Sequence, residues 1–122
     1  MKYREMIKKI QLDSGFSDEE SEDALDLMVE AIAERLEEHA RMNFASELPK
    51  ELKEIAIYAE MGEREERHGG IIEEFMAREM IPEDRAKKQV LSAWGALKAL
   101  ISEGQIRHIK AQLSANVAAI LY

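Results

Sequence analysis

Residues 17–38 read SDEESEDALDLMVEAIAERLEE, and this stretch decides the fold class of the whole chain. Apolar side chains recur along it at steps of three and four residues, which places them on one face of an α-helix. The opening Ser17-Asp18-Glu19-Glu20 has a capping-box pattern, in which the Ser17 hydroxyl and the Glu20 carboxylate each accept a backbone N–H. The stretch therefore predicts a long amphipathic helix to about residue 38. Its apolar positions are Leu25, Met28, Val29, Ile32 and Leu36.

The same apolar pattern returns 65 residues later, since 6–57 aligns with 71–122 without a gap. Core positions keep their apolar character while the surface has drifted, as a duplicated fold would. We therefore predict a single domain, 1–122, with repeat units 1–61 and 69–122 joined by 62–68. Four helices per unit, one of them short, make an all-α, compact helical bundle of two tandem four-helix units with about eight helices. Paired core positions include Leu25 with Val90, Val29 with Trp94, Ile32 with Leu97 and Leu36 with Ile101.

Composition and charge narrow the function classes. The net charge of −8 disfavours nucleic acid and anionic membranes as partners. The absence of cysteine excludes disulfides and thiolate metal sites, and it suits a cytoplasmic location. The longest apolar run, 117–122, is far shorter than the roughly 20 residues of a membrane-spanning helix. We expect no membrane association and no signal peptide.

Motifs for catalysis are missing from the sequence. The pair Glu65 and His68 has the Glu-x-x-His spacing of di-iron bundles, but such a site needs a second pair and none exists. His39 and His108 are read as surface residues, and no serine lies in a Gly-x-Ser-x-Gly elbow. No carboxylate lies on an apolar stripe, so ordinary pKa values are expected for them. We predict no catalytic residue, no metal, no cofactor and no enzyme activity.

The second copy also carries a resemblance to a known family. Ile101-Ser102-Glu103-Gly104-Gln105, followed by Ile109-Lys110-Ala111-Gln112-Leu113, resembles the tandem unit of an uncharacterised, mainly bacterial family, domain of unknown function 2267. Ser114 departs from that family's pattern, which has proline there, whereas the first copy keeps Leu48-Pro49. The first copy replaces the Ile-Ser step with Leu36-Glu37. The resemblance implies an all-α fold and assigns no site residues.

An acidic stripe follows the first long helix at steps of three and four residues, away from its apolar face. The simplest interpretation is a solvated outer face, and the alternatives are a docking face for a basic partner or weak association of Ca²⁺ or Mg²⁺. The acidic stripe consists of Glu19, Asp23, Asp26, Glu30, Glu34 and Glu37.

The second long helix, predicted over 82–103, has a face of small residues without charge. A helix of this kind is usually buried on both sides. It is expected either to lie centrally in the monomer or to form a self-contact in a homodimer. This small-residue face comprises Ser92, Gly95, Ala96, Ala99 and Ser102.

Met28 and Trp94 lie on the two main apolar stripes. We read both as core residues, with the wall of an apolar pocket as the alternative. The sequence as a whole favours a non-catalytic helical interaction module that binds a protein partner or a second copy of itself. The alternative function is small-molecule binding in an apolar pocket between the repeats, near Trp94 and Met28.

Overall fold

The computed structural model describes residues 2–59 and 70–122, and every regular element in these two ranges is an α-helix. The predicted all-α class is therefore confirmed. The predicted join at 62–68, with Glu65 and His68, lies outside the described residues. The helices are α1 (Tyr3–Ser14), α2 (Asp18–Glu34), α3 (Glu38–Ser46), α4 (Lys50–Ile57), α5 (Ile71–Glu79), α6 (Glu83–Leu100), α7 (Glu103–Gln112) and α8 (Ala115–Leu121).

Both long helices end earlier than their periodicity predicts, because a polar side chain caps the next helix. The Glu37 carboxylate accepts hydrogen bonds from the backbone N–H groups of His39 at 3.1 Å and Ala40 at 2.7 Å, and it begins α3. Ser102 caps α7 in the same way, accepting from the Gln105 N–H at 3.4 Å. Glu37 and Ser102 therefore lie outside the long helices to which they were assigned. His39 lies in the first turn of α3 and is exposed, as expected for a surface residue.

The turn between α1 and α2 follows the local rules. Gly15 adopts φ +78° and closes α1 by donating its N–H to the Gln11 carbonyl at 2.7 Å. The Ser17 hydroxyl accepts the Glu20 N–H at 3.1 Å and starts α2. The reciprocal half of the predicted capping box does not form, because the Glu20 carboxylate binds side chains of α6.

The long helix α2 lies at the centre of the bundle. It packs against α1, α4 and α6, while α6 packs against α1, α2 and α5. Ten of the 17 residues of α2 are buried, against seven of the 18 residues of α6. A central position of α6 in the monomer is not found, since Leu91, Lys98 and Ala99 are exposed on it, and the alternative of a self-contact in a homodimer stays a prediction. The charged helix takes the interior position.

The helices of the two halves interleave, because α1 packs against α6 of the other half. Two hydrogen bonds cross between α3 and α7: the Glu37 N–H donates to Gln112 Oε1, and the Ser102 N–H donates to Glu47 Oε1, both at 2.8 Å. Their partners are related by the offset of 65 residues. This reciprocal exchange is what a twofold arrangement of units produces. The duplication itself stays a prediction.

Candidate functional site

A groove lined by carboxylates runs along α2, between it and the ends of α5 and α6. It consists of two adjoining depressions of about 220 and 400 Å³, which share Asp23 and Glu79. We call it the acidic groove. The smaller depression is lined by Asp23, Asp26, Leu27, Glu30, Ile55, Arg78 and Glu79, and the larger one by Ser17, Glu19, Glu20, Asp23, Glu79, Ile81, Arg85 and Gln89.

Helical geometry fixes the length of the acidic groove. Its lining residues on α2 extend from the Ser17 cap to Glu30. With a rise of 1.5 Å per residue, this span measures about 20 Å along the helix axis. Because the carboxylates belong to regular helices in a packed bundle, the backbone positions from which they project are set before anything binds.

The two ends of the acidic groove are already neutralised by arginines from the second half. Arg85 binds the Glu20 carboxylate with both Nε, at 2.8 Å from Oε2, and Nη2. Arg78 reaches Glu30 at 3.3 and 3.4 Å. Within residues 2–59 and 70–122, no cationic side chain forms an ion pair with Asp23 or Glu79. Six carboxylates and two arginines line the groove, so an excess of negative charge remains at its middle.

Two carboxyl groups of the groove have raised pKa values, mainly because they are partly buried and secondly because other carboxylates lie nearby. Burial raises the pKa of Glu79, and the neighbouring Asp23 and Glu20 raise it further. Burial likewise raises the pKa of Asp26 to about 6, with contributions from Glu22 and Asp23, although the Tyr3 hydroxyl donates to Asp26 Oδ1 at 3.2 Å and opposes the shift. The expectation of ordinary carboxyl pKa values is therefore wrong for these groups.

Gln89 lies buried between the two acidic residues at the wider end of the groove, with 1% of its surface exposed. Its Nε2 donates to Glu20 Oε2 at 3.0 Å and to Glu79 Oε1 at 3.4 Å, which uses both N–H bonds and fixes the orientation of the amide. In the described part of the chain, no donor reaches the Gln89 Oε1 atom. A buried acceptor without a donor costs about 1–3 kcal/mol.

The acidic stripe predicted from the sequence is only partly a surface. Glu19, Asp23, Asp26 and Glu30 line the acidic groove. Glu34 does not, since it is 4% exposed. Glu37 is the cap of α3. Two members of the stripe are thus wrongly placed.

Two ion pairs link α5 to the end of α2 that carries Glu34. Next to it in sequence, Arg35 pairs with Glu74 of α5 at 3.3 Å, with side chains only 4% and 3% exposed. Near the other end of α5, Arg78 pairs with Glu30. The stripe predicted as an outer face is in part an internal contact between the two halves.

The small-residue face of α6 divides into several environments. Ala96 is fully buried, Ser92 and Gly95 are half-buried, and Ala99 is exposed. A Cβ atom built on Gly95 would meet no atom of the described residues within 4 Å, so the expected close approach of another helix does not occur in that part of the chain. Ser102 lies beyond α6 and is hydrogen-bonded to Glu47. Ala96 and Ser102 are therefore not part of an accessible helix face.

Met28 and Trp94 both belong to the hydrophobic core. The Trp94 Nε1–H donates to the Leu121 carbonyl at 3.0 Å, and its ring centroid lies 5.6 Å from that of Tyr122. Neither residue lines the acidic groove. Their positions agree with the core interpretation, and the apolar pocket between the repeats stays a prediction.

Sequence reasoning missed the residues that the second half contributes to the groove. Arg78, Glu79 and Arg85 belong to helices whose position against α2 is set by tertiary packing. A signal for Gln89 was present, since it occurs three residues after Ala86 and four before Ala93 on the buried stripe of α6. A polar side chain at such a position needs hydrogen-bond partners.

Chemically, the acidic groove offers acceptors for N–H donors, namely carboxylates and one amide oxygen. Among the described side chains, no group of three or more histidine and carboxylate residues could hold a metal ion. The helices over 2–59 and 70–122 also include none that is both long and apolar enough to span a bilayer.

These observations define an all-helical bundle domain with a carboxylate-lined groove between its halves. A family model matches residues 3–120, and the chain belongs to that family, described as "Uncharacterized conserved protein (DUF2267)". The resemblance seen in the second copy is thereby confirmed. No curated protein and no solved structure matches the chain.

Proposed function

We propose that this chain is a non-catalytic interaction module of the cytoplasm, and that the acidic groove is its binding surface for another protein. The observation that carries the proposal is the uncompensated charge at the middle of the groove, where Asp23 and Glu79 lack a cationic partner within the described ranges. Complementary charge across an interface guides association and selects the partner.

The placement of the groove on packed helices supports this proposal. Its walls come from α2, α5 and α6, which contact one another in the bundle or are linked by ion pairs. A surface built on helices that are already packed loses little backbone conformational entropy on binding. The cytoplasmic location rests on the cysteine-free composition.

The proposal is tested by capturing binding partners from a lysate of the protein's own host. The wild type is compared with Asp23→Asn/Glu79→Gln and with the control Glu51→Gln/Glu54→Gln, which removes the same charge from exposed positions on α4. We expect at least one protein, measured by quantitative mass spectrometry, to be retained by the wild type and the control and lost from the groove variant. Equal recovery with all three baits would contradict the proposal.

A second candidate is self-association through the exposed part of α6. It is favoured by Leu91, which is 42% exposed, and by the open space above Gly95. Sedimentation equilibrium should then show a dimer that Leu91→Lys dissociates, while the control Leu12→Lys, at an exposed position on α1, leaves it intact. A monomer at the highest soluble concentration would rule this candidate out.

A further inference from the structure

We propose that Met80 is a site of reversible oxidation by hydroperoxides, where a thioether becomes a sulfoxide and an apolar depression becomes polar without loss of the fold. This inference goes beyond the proposed interaction and does not depend on it. It follows from the exposure of Met80, from its backbone conformation and from the depression that its side chain lines.

Exposure separates Met80 from the other methionines that the structure describes. Met80 is 89% exposed, the largest value for a large apolar residue in the described ranges. Met42 is 45% exposed and Met76 is half-buried, while Met6 and Met28 are fully buried. Because oxidation requires contact between the sulfur and the oxidant, its rate follows the accessibility of the side chain. Among these five methionines, a dissolved oxidant therefore reaches Met80 first.

The backbone at Met80 has a conformation that favours glycine. Met80 has φ +55° and ψ +53°, and no other non-glycine residue in the described ranges has a positive φ. It closes α5 by donating its N–H to the Met76 carbonyl, and Ile81 donates to the same carbonyl at 3.2 Å. At the offset of 65 residues, the matching position in the first unit is Gly15, which closes α1 at φ +78°. Since a Cβ atom strains this conformation, the helix end does not require a methionine, and the strain points to a use of the side chain outside the fold.

The side chain of Met80 lines an open depression of about 530 Å³ at the end of α5. The other lining residues are Glu73, Met76, Ala77 and Ile81, so four of the five are apolar. The open space admits a hydroperoxide and, after oxidation, the catalytic groups of a reductase. A sulfoxide is polar, and it therefore converts this apolar surface into one that accepts hydrogen bonds.

The reaction transfers one oxygen atom and two electrons. A lone pair of the Met80 sulfur attacks the terminal oxygen of the hydroperoxide, so that an S–O bond forms while the O–O bond breaks. The proton of that oxygen passes to the leaving oxyanion, and the peroxide is reduced to water or an alcohol. In the reverse direction, two thiols of a methionine sulfoxide reductase become a disulfide, and the oxygen leaves as water.

The test treats the folded full chain with hydrogen peroxide and follows each methionine separately. Trypsin places every methionine of the described ranges in its own peptide, because a lysine or arginine lies between any two of them. Mass spectrometry should show Met80 gaining oxygen at least about twice as fast as Met42 and Met76, with Met6 and Met28 unmodified. In urea the rates should converge, because unfolding removes the differences in exposure. Met80→Leu is the control and should remove the first event alone.

The singly oxidised protein shows whether Met80 is independent of the fold. Its melting temperature should stay within about 2 °C of the untreated protein, because the modified side chain is exposed. Incubation with dithiothreitol and the two methionine sulfoxide reductases, one for each sulfoxide epimer, should restore the thioether without unfolding. Met80→Gly should melt about 2–6 °C higher than the wild type, because glycine relieves the strained backbone.

Four results would overturn the inference. Oxidation of Met42 or Met76 as fast as Met80 would show that exposure gives Met80 no priority. A larger fall in melting temperature on oxidation would make its side chain part of the fold. Repair of the sulfoxide only in urea would exclude reversal in the folded protein. A melting temperature of Met80→Gly at or below that of the wild type would show that the fold itself uses the methionine.

Discussion

The two long helices, α2 and α6, reverse the expectation that charge marks the surface. α2 carries the acidic stripe, yet it is the more buried helix and lies at the centre of the bundle. α6 has an uncharged face, yet Leu91 and Ala99 on that helix are exposed. The number of charges on a helix therefore says little about its burial when neighbouring helices carry the opposite charges.

The neighbours of α2 supply those charges. Glu30 is met by Arg78 and Glu20 by Arg85, both from the second half of the chain. The acidic stripe is thus divided between an internal contact and the open acidic groove. Among the residues that the structure describes, none lies within 4 Å of a Cβ atom built on Gly95 of α6.

The largest effect should come from the buried ion pair beside α2. Glu74→Ala leaves Arg35 buried without this carboxylate, and removing one member of such a pair costs about 3–5 kcal/mol of unfolding free energy. Urea denaturation measures it. The neighbouring exposed Glu73→Ala is the control and should stay within about 0.5 kcal/mol of the wild type. Similar losses in both variants would mean that burial of charge does not distinguish α2 from its surroundings.

The next effect in order of size is the difference in stability loss between a buried side chain of α2 and an exposed side chain of α6. Met28→Ala on α2 opens a cavity in the interior and should cost about 2–5 kcal/mol. Leu91→Ala on α6 removes a partly exposed side chain and should cost less than about 1 kcal/mol. The two variants can be compared in one set of urea denaturation curves. A larger loss for Leu91 than for Met28 would place α6, and not α2, at the centre.

Gly95→Ala tests whether the face of α6 is free. Because the added methyl group meets no neighbouring atom and alanine is the better helix former, the monomer should gain about 0.5–1 kcal/mol. Thermal unfolding measures the gain. Gly15→Ala is the contrasting variant, since its φ of +78° is strained for alanine and should cost about 1 kcal/mol. A loss with Gly95→Ala that grows with protein concentration would reveal a self-contact at this face.

The smallest effect concerns the pH dependence contributed by Asp26. Its pKa in the folded protein is about 6, above the ordinary value of 3.8, so the folded state binds the proton more tightly. This group therefore favours folding at low pH, and its contribution falls as pH rises from about 4 to about 6. Asp26→Asn keeps an acceptor for the Tyr3 hydroxyl and should be more stable than the wild type at pH 7 by up to about 1 kcal/mol, since solvent screens the charge.

The measurement for Asp26 is the difference in unfolding free energy between the two proteins across this pH range. The difference should vanish near pH 4, where the wild-type carboxyl group is protonated in the folded protein. A difference that stays constant with pH would show that Asp26 keeps an ordinary pKa.

The helices could be predicted from the sequence because apolar periodicity and capping residues are local signals. Periodicity located α2, and Ser17 marked its beginning correctly. Its end was wrong, because Glu37 satisfies both a long helical pattern and a cap for α3, and only the path of the chain decides between them.

Only the residues that α2 contributes to the acidic groove could be predicted from the sequence. Glu19, Asp23, Asp26 and Glu30 share one helix and could be grouped by spacing. Glu79 and Gln89 come from other helices, and no local pattern states which carboxylates will face one another across a bundle. Glu20 was explained by its capping role, whereas its carboxylate is used by Arg85.

The position of Trp94 decides what can be observed in this protein. It is the single tryptophan, and its indole is tied to the Leu121 carbonyl and to the ring of Tyr122. Its fluorescence will report whether the last helix packs on the core. We expect no change in that fluorescence when a ligand occupies the acidic groove. A spectroscopic search for ligands that relied on this natural probe would record binding at the groove as no binding at all.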